Sequence, residues 1–200
     1  MIYYLLFILN SMGDKNTFSG IKLLNFYLFK SLSEDISLWL KNSDNSSIVT
    51  LSCRNVFELY LIMLETNENN HSLKRFFAQL DGDREQVNSA FIEKCNSCDY
   101  RLSEESLNIL KPLDVDPYLK DIERHNFNMR NLANKHGYLG DYKFIYKLSS
   151  KLIHPSAFKV LAIDSDSQQY DVIAMSGCGF VSKATDFAVN FHNSFSSDNT

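Results

Sequence analysis

Glycine and proline are scarce in this chain, seven and three in 200 residues, which argues against the turn-rich strands of a β-sandwich. Cysteine is thin as well. Cys53, Cys95, Cys98 and Cys178 follow no disulfide framework, and the single Cys95-x-x-Cys98 lacks a second pair or a Cys–His partner at zinc-finger spacing. Those four thiols read as reduced bystanders, with EKCNSCDY as the end of a helix. The chain has no phosphate-cradling GxGxxG or Walker loop, no GxSxG and no HExxH, so neither a cofactor nor a metal is expected. Charge of one sign is not in large excess: the net charge of −4 argues against a dedicated nucleic-acid coat. Long apolar runs are missing too. The longest, Ile2 to Leu9 in MIYYLLFILN, falls well short of the roughly 20 residues needed to span a bilayer. No basic residue precedes it and no small-residue cleavage site follows. It reads as a buried first helix, no other stretch reads as long enough to span, and the chain is expected in the cytoplasm with no membrane partner.

What the chain does have is bulk. Its residues are 44% apolar and 13% aromatic, with fifteen Phe and ten Tyr, as suits tight helix–helix packing. The length fits one domain over residues 1–195, with 196–200 as a frayed tail. Thr17 can cap a helix that ends near Lys41, and KNSDNSS is a loop. A helix from about Ser47 to Glu65 is apolar on nearly every face, which places it centrally. A fourth extends from Asn70 towards Cys95 with a break at Asp81-Gly82-Asp83, and Ser103 opens a short one. Pro112 and Pro117 bracket a turn. The next helix spans roughly Tyr118 to Lys135 and stops at Gly137. Another then runs to His154, where Pro155 disfavours helix in the residue before it. FKVLAI and YDVIAM carry the alternation of strands and predict a β-hairpin over about 158–175, with Asp164 to Asp166 shaping its turn. GCGF is a turn and VSKATDFAVNFHNSF the last helix.

Chemistry concentrates in NFNMRNLANKHGYLGDYKFIYKLSSKLIHPSAF, residues 126–158. Tyr146, Ser150 and His154 recur at every fourth position, one stripe of a helix whose other positions (Ile145, Leu148, Leu152, Ile153) are apolar. Such polar groups on a packed helix need partners. Arg54 and Glu58, four apart on the central helix, share a face. They form either a structural ion pair or a guanidinium fork held towards an anion. His154 at a helix C-terminus is suited to carry a proton near neutral pH. From Lys120 to Lys159, eight Lys or Arg face three Asp or Glu, a basic stretch in an acidic protein.

Two resemblances follow from these residues. Arg130-Asn131, then His136 and Tyr138, resemble the Arg-polar-x-His signature of HEPN ribonucleases and the toxins of HEPN–nucleotidyltransferase pairs. That likeness would cast Arg130 as phosphate binder and His136 as helper of the ribose 2′-hydroxyl, in a metal-independent reaction across a dimer. The more specific match is to an uncharacterised bacterial helical family, itself HEPN-like, with Arg-x3-Glu on an early helix and Tyr-x3-Tyr-x3-Ser-x3-His-Pro on a later one. Arg54, Glu58, Tyr142, Tyr146, Ser150, His154 and Pro155 fit it in order, over roughly residues 20–195. The resemblance implies an all-α, HEPN-like helical bundle with the small hairpin before its last helix. It implies a metal-independent endoribonuclease of a bacterial defence or toxin system, acting through His154 and Arg54 with Glu58, Tyr146 and Ser150. The partners implied are RNA, a second copy as homodimer, and a cognate antitoxin or regulator. The alternative is a non-catalytic module that holds an anionic ligand or partner protein in the same polar groove.

Overall fold

The computed structural model describes residues 2–12, 20–110, 119, 121–154, 156–161 and 166–197. Its regular elements are helices: α1 (Ile2–Ser11), α2 (Gly20–Lys41), α3 (Ser46–Glu68), α4 (Asn70–Ser97), α5 (Glu104–Leu110), α6 (Met129–Lys135), α7 (Leu139–Ile153), α8 (Ala157–Leu161) and α9 (Asp166–Ser197). The protein is all-α, and no strand occurs among the described residues. Two compact units divide the chain: Met1–Leu64 with Met129–Thr200, and Glu65–Asn128.

The first unit is built on α2, α3, α7 and α9. Leu28, Phe29, Leu32, Ile36 and Trp39 line the buried side of α2, and Val49, Cys53, Val56, Phe57, Tyr60 and Leu61 that of α3. Aromatic edges interlock across helices: Phe57 on Phe180 at 4.7 Å and Phe29 on Phe191 at 5.7 Å between centroids, the edge-to-face arrangement that ring quadrupoles favour. α1 packs on α2 and α9. It buries Leu5 and Ile8, with Met12 just past its end, but leaves Tyr3, Leu6 and Phe7 exposed, so the expected buried helix is buried on one side. Asp35 of α2 accepts a 2.9 Å hydrogen bond from the Asn55 amide of α3.

In the second unit, Asn69 caps α4 by accepting from the Ser72 amide at 2.8 Å, and Ser72 donates to the buried Glu65 at 2.6 Å. Phe127 stacks on Phe76 at 5.9 Å. Cys95 and Cys98 do lie at the helix end, and both are free thiols.

Four sequence expectations give way. The hairpin over 158–175 is replaced by helix on both described sides, α8 and the start of α9. Ile173, Gly177, Phe180, Val181, Ala184 and Ala188 are buried at helical spacing, and burial of that stripe outweighs the weak β-preference of the branched residues. The GCGF turn is likewise helix. A Cβ on Gly177 would stand 2.4 Å from the Trp39 ring and 3.0 Å from the Cys53 sulfur, so this glycine serves close packing. α4 runs unbroken through Gly82, whose absent Cβ makes room for the Arg124 carbonyl, 2.6 Å from where it would lie. Helix before Lys135 begins only at Met129, and residues 121–128 are irregular. Thr17, Pro112, Pro117, Pro155, the 162–165 link and 198–200 lie outside the described residues.

Two stability predictions follow. Gly177→Ala should destabilise by about 1–3 kcal/mol through overpacking. Gly179→Ala, with nothing within 4 Å of its Cβ, should stabilise by about 0.5–1 kcal/mol through helix propensity. Urea unfolding of both variants checks this, and equal shifts would refute the packing argument. Separately, burial raises the Asp35 carboxyl above its ordinary 3.8; the Asn55 hydrogen bond opposes this and the Glu34 charge adds to it. The folded state therefore binds this proton more tightly, and stability falls as pH rises from 3.8 through the raised value. Asp35→Asn should gain stability over wild type at pH 7 and lose that gain below about pH 4; a pH-independent difference in urea midpoint would contradict the assignment.

Candidate functional site

The site forms where α3 and α7 meet. α7 buries Ile145, Ser149 and Leu152 at i, i+4 and i+7, so its remaining faces are set by helical geometry. Tyr146, one position past Ile145, is turned towards the polar side of α3. Arg54 donates from Nε to Glu58 Oε1 at 2.8 Å, the Tyr146 hydroxyl donates to the same oxygen, and the guanidinium lies 4.1 Å above the Tyr146 ring. Tyr142, one turn back, stands against Tyr146 at 4.2 Å with its ring tilted 36°. Arg54 and Glu58 side chains are 29% and 28% exposed.

The electrostatics follow from that geometry. Burial alone would lower the Arg54 pKa, but the hydrogen bond and charge of Glu58, with the contribution of Tyr146, outweigh it and hold the value above normal. Tyr146 is pushed well above the ordinary tyrosine value, first by burial and then by its bond to Glu58, against the opposing pull of Arg54. Tyr146 therefore keeps its proton at neutral pH and cannot serve as a base. Arg54, Glu58 and Tyr146 form a closed cluster in which one carboxylate satisfies two donors.

Of the sequence-derived candidates, the structure joins these three and not the others. Ser150 and His154 are exposed, and they lie one and two further turns along α7, roughly 6 and 12 Å from Tyr146 at 1.5 Å per residue. His154 caps the helix with an extended ψ of 150°, as a residue before proline should. A single phosphate held at Arg54 is therefore out of reach of His154 of the same chain. The second set lies on and just after α6. Arg130 and Asn131 are exposed on α6, and His136 is half-buried in the turn after it, where Gly137 takes φ +82°. Tyr138 belongs to an aromatic core: its hydroxyl meets that of Tyr60 at 3.2 Å and its ring packs on Phe180.

The sequence reading missed the lysines as individuals. Lys143, Lys147 and Lys151 are exposed on α7, and at ~100° per residue they fill an arc of about 80° beside Ser150. Lys147 and Lys151 with Tyr146 and Ser150 line an open groove of about 540 Å³. The signal was present as lysines at i, i+4 and i+8, hidden inside a regional charge count.

α3 and residues 168–194 of α9 are long and apolar enough to cross a membrane by length and composition, which the sequence reading did not anticipate. Their apolar residues include much of the first unit's buried core. Comparison of the chain with protein-family models, curated proteins and solved structures finds no match.

The α3–α7 cluster should be measurable as coupling. Arg54→Ala and Tyr146→Phe should each destabilise by about 1 kcal/mol or more, and the double variant by less than the sum. Arg54→Lys should fail to restore stability, since an ammonium lacks the planar fork that bonds and stacks at once. Urea unfolding of wild type and the four variants decides; a urea midpoint for Arg54→Ala equal to wild type would remove the cluster's structural role.

Proposed function

We propose that this is a HEPN-like, cytoplasmic RNA-binding protein that grips the phosphate backbone along the outer face of α7. The observation that carries this reading is the run of Lys143, Lys147 and Lys151 beside Ser150, on a helix whose one acidic residue is Asp141 in its first turn. Lysines one turn apart give flexible point charges that suit successive phosphates, and Ser150 adds a neutral donor. Arg54 supports the face without being its anion anchor, because Glu58 already neutralises it.

A second reading is favoured by the exposed His154 at the end of the same helix: metal-independent cleavage of the bound RNA. A 2′-hydroxyl attack needs a group to move its proton and a cation to stabilise the phosphorane charge. With Arg54 two turns away, the cation would come from Lys159, whose Nζ donates to the Ile153 carbonyl at 3.3 Å beside His154, or from a second copy of the chain, as the dimeric reaction of the resembled toxins implies.

Binding measured by fluorescence anisotropy should weaken with salt, with a log–log slope of about −2 for three lysine–phosphate contacts on a single strand. Lys147→Glu with Lys151→Glu should abolish it; unchanged affinity would discard the reading. Incubation of total RNA in EDTA with wild type, His154→Ala and His136→Ala separates binding from cleavage. Fragments lost only with His154→Ala establish the ribonuclease, and intact RNA in every lane leaves a binding protein.

A further inference from the structure

Lys147 and Lys151 stand between two different surfaces. On one side they border the polar groove with Tyr146 and Ser150. On the other they border an apolar hollow of about 260 Å³ with Phe144 and Leu148. Phe144 is 40% exposed, and helical geometry places it about 20° beyond Lys151 on the same side of α7. A large ring held in water next to a cationic row, with Leu148 behind it, offers a flat apolar shelf at the edge of a phosphate track.

Resting on the RNA reading above, we propose that Phe144 is a base-stacking platform and that the site therefore takes single-stranded RNA. The occupant must combine a chain of anions with flat apolar groups beside it. A single strand meets both demands, since its unstacked bases can lie on an aromatic face while its phosphates meet the lysines. A duplex meets only the first, because its bases are stacked on one another and turned inward. Inorganic phosphate or a simple polyanion would use the lysines and leave Phe144 idle. The tyrosine pair does not compete for this role: the Tyr146 ring is already covered by Arg54 at 4.1 Å and faced by Tyr142 at 4.2 Å.

The test is anisotropy with oligouridylate of about twelve nucleotides, within the span one binding face covers, beside a duplex of equal length. It uses wild type, Phe144→Ala, Phe144→Leu, Phe144→Trp and Lys147→Glu, each checked for folding by circular dichroism. Wild type should bind the single strand more tightly than the duplex. Phe144→Ala and Phe144→Leu should both lose about fivefold or more on the single strand, Phe144→Trp should restore it, and duplex binding should not change. Phe144→Leu binding as well as wild type would reduce the contact to apolar filling and overturn the proposal, as would equal losses on strand and duplex. Full affinity in every Phe144 variant, with loss only in Lys147→Glu, would overturn the stacking platform and leave the phosphate track standing. Failure of the folded wild type to bind either RNA would overturn both.

Discussion

One carboxylate oxygen organises the polar face of the first unit. Glu58 Oε1 accepts from the Arg54 guanidinium on its own helix and from the Tyr146 hydroxyl on α7. Without it, a half-buried cation would have only the Tyr146 side chain to offset its desolvation. With it, α3 and α7 are held in one rotational setting. The buried trio Ile145, Ser149 and Leu152 points inward, and every other position on α7 follows from the helix repeat. The outward arc of lysines is thus a consequence of a buried triplet, two apolar residues and one serine, and one interhelical hydrogen bond. The pair is partly exposed, which limits its net worth, but its geometric effect does not depend on a large energy.

How much of this could be read from the chain depends on the range of each interaction. The Arg54–Glu58 pair is local, four residues apart on one helix, and the spacing alone defines it. That Tyr146 joins the pair was suggested by its place in the polar stripe, because a packed helix must satisfy its polar groups. The same argument failed for Ser150 and His154. A stripe at every fourth residue drifts by about 40° per step, enough to carry a line that starts at the α3 contact out into solvent within one turn. The repeat that made the three residues look alike is the reason that they end up in different environments.

The segments misread as strand and turn show the limit from the other side. Val172 and Ile173 favour strands and the glycines of GCGF favour turns when judged on their nearest neighbours. What decides is Trp39, more than a hundred residues away, whose ring occupies the space a Gly177 side chain would need. Gly82 repeats the pattern with the Arg124 carbonyl. A glycine used for close approach and a glycine used for a turn are identical in a single sequence. Only the partner distinguishes them, and the partner is remote.

The closed cluster also constrains what this face can do. An anion approaching Arg54 approaches Glu58 as well, and attraction to one is opposed by repulsion from the other at similar range. Arg54 holds Glu58 through Nε, so a phosphate at its remaining N–H groups would sit beside a fixed carboxylate. The lysines have no such commitment to α3. They are compact charges on flexible stems, exposed along α7, and they can follow an irregular backbone where a rigid fork cannot. Arg54 belongs to the architecture of the face, and Lys147 and Lys151 line its open groove. The arginine that first marks the site in the sequence thus serves to join α3 to α7.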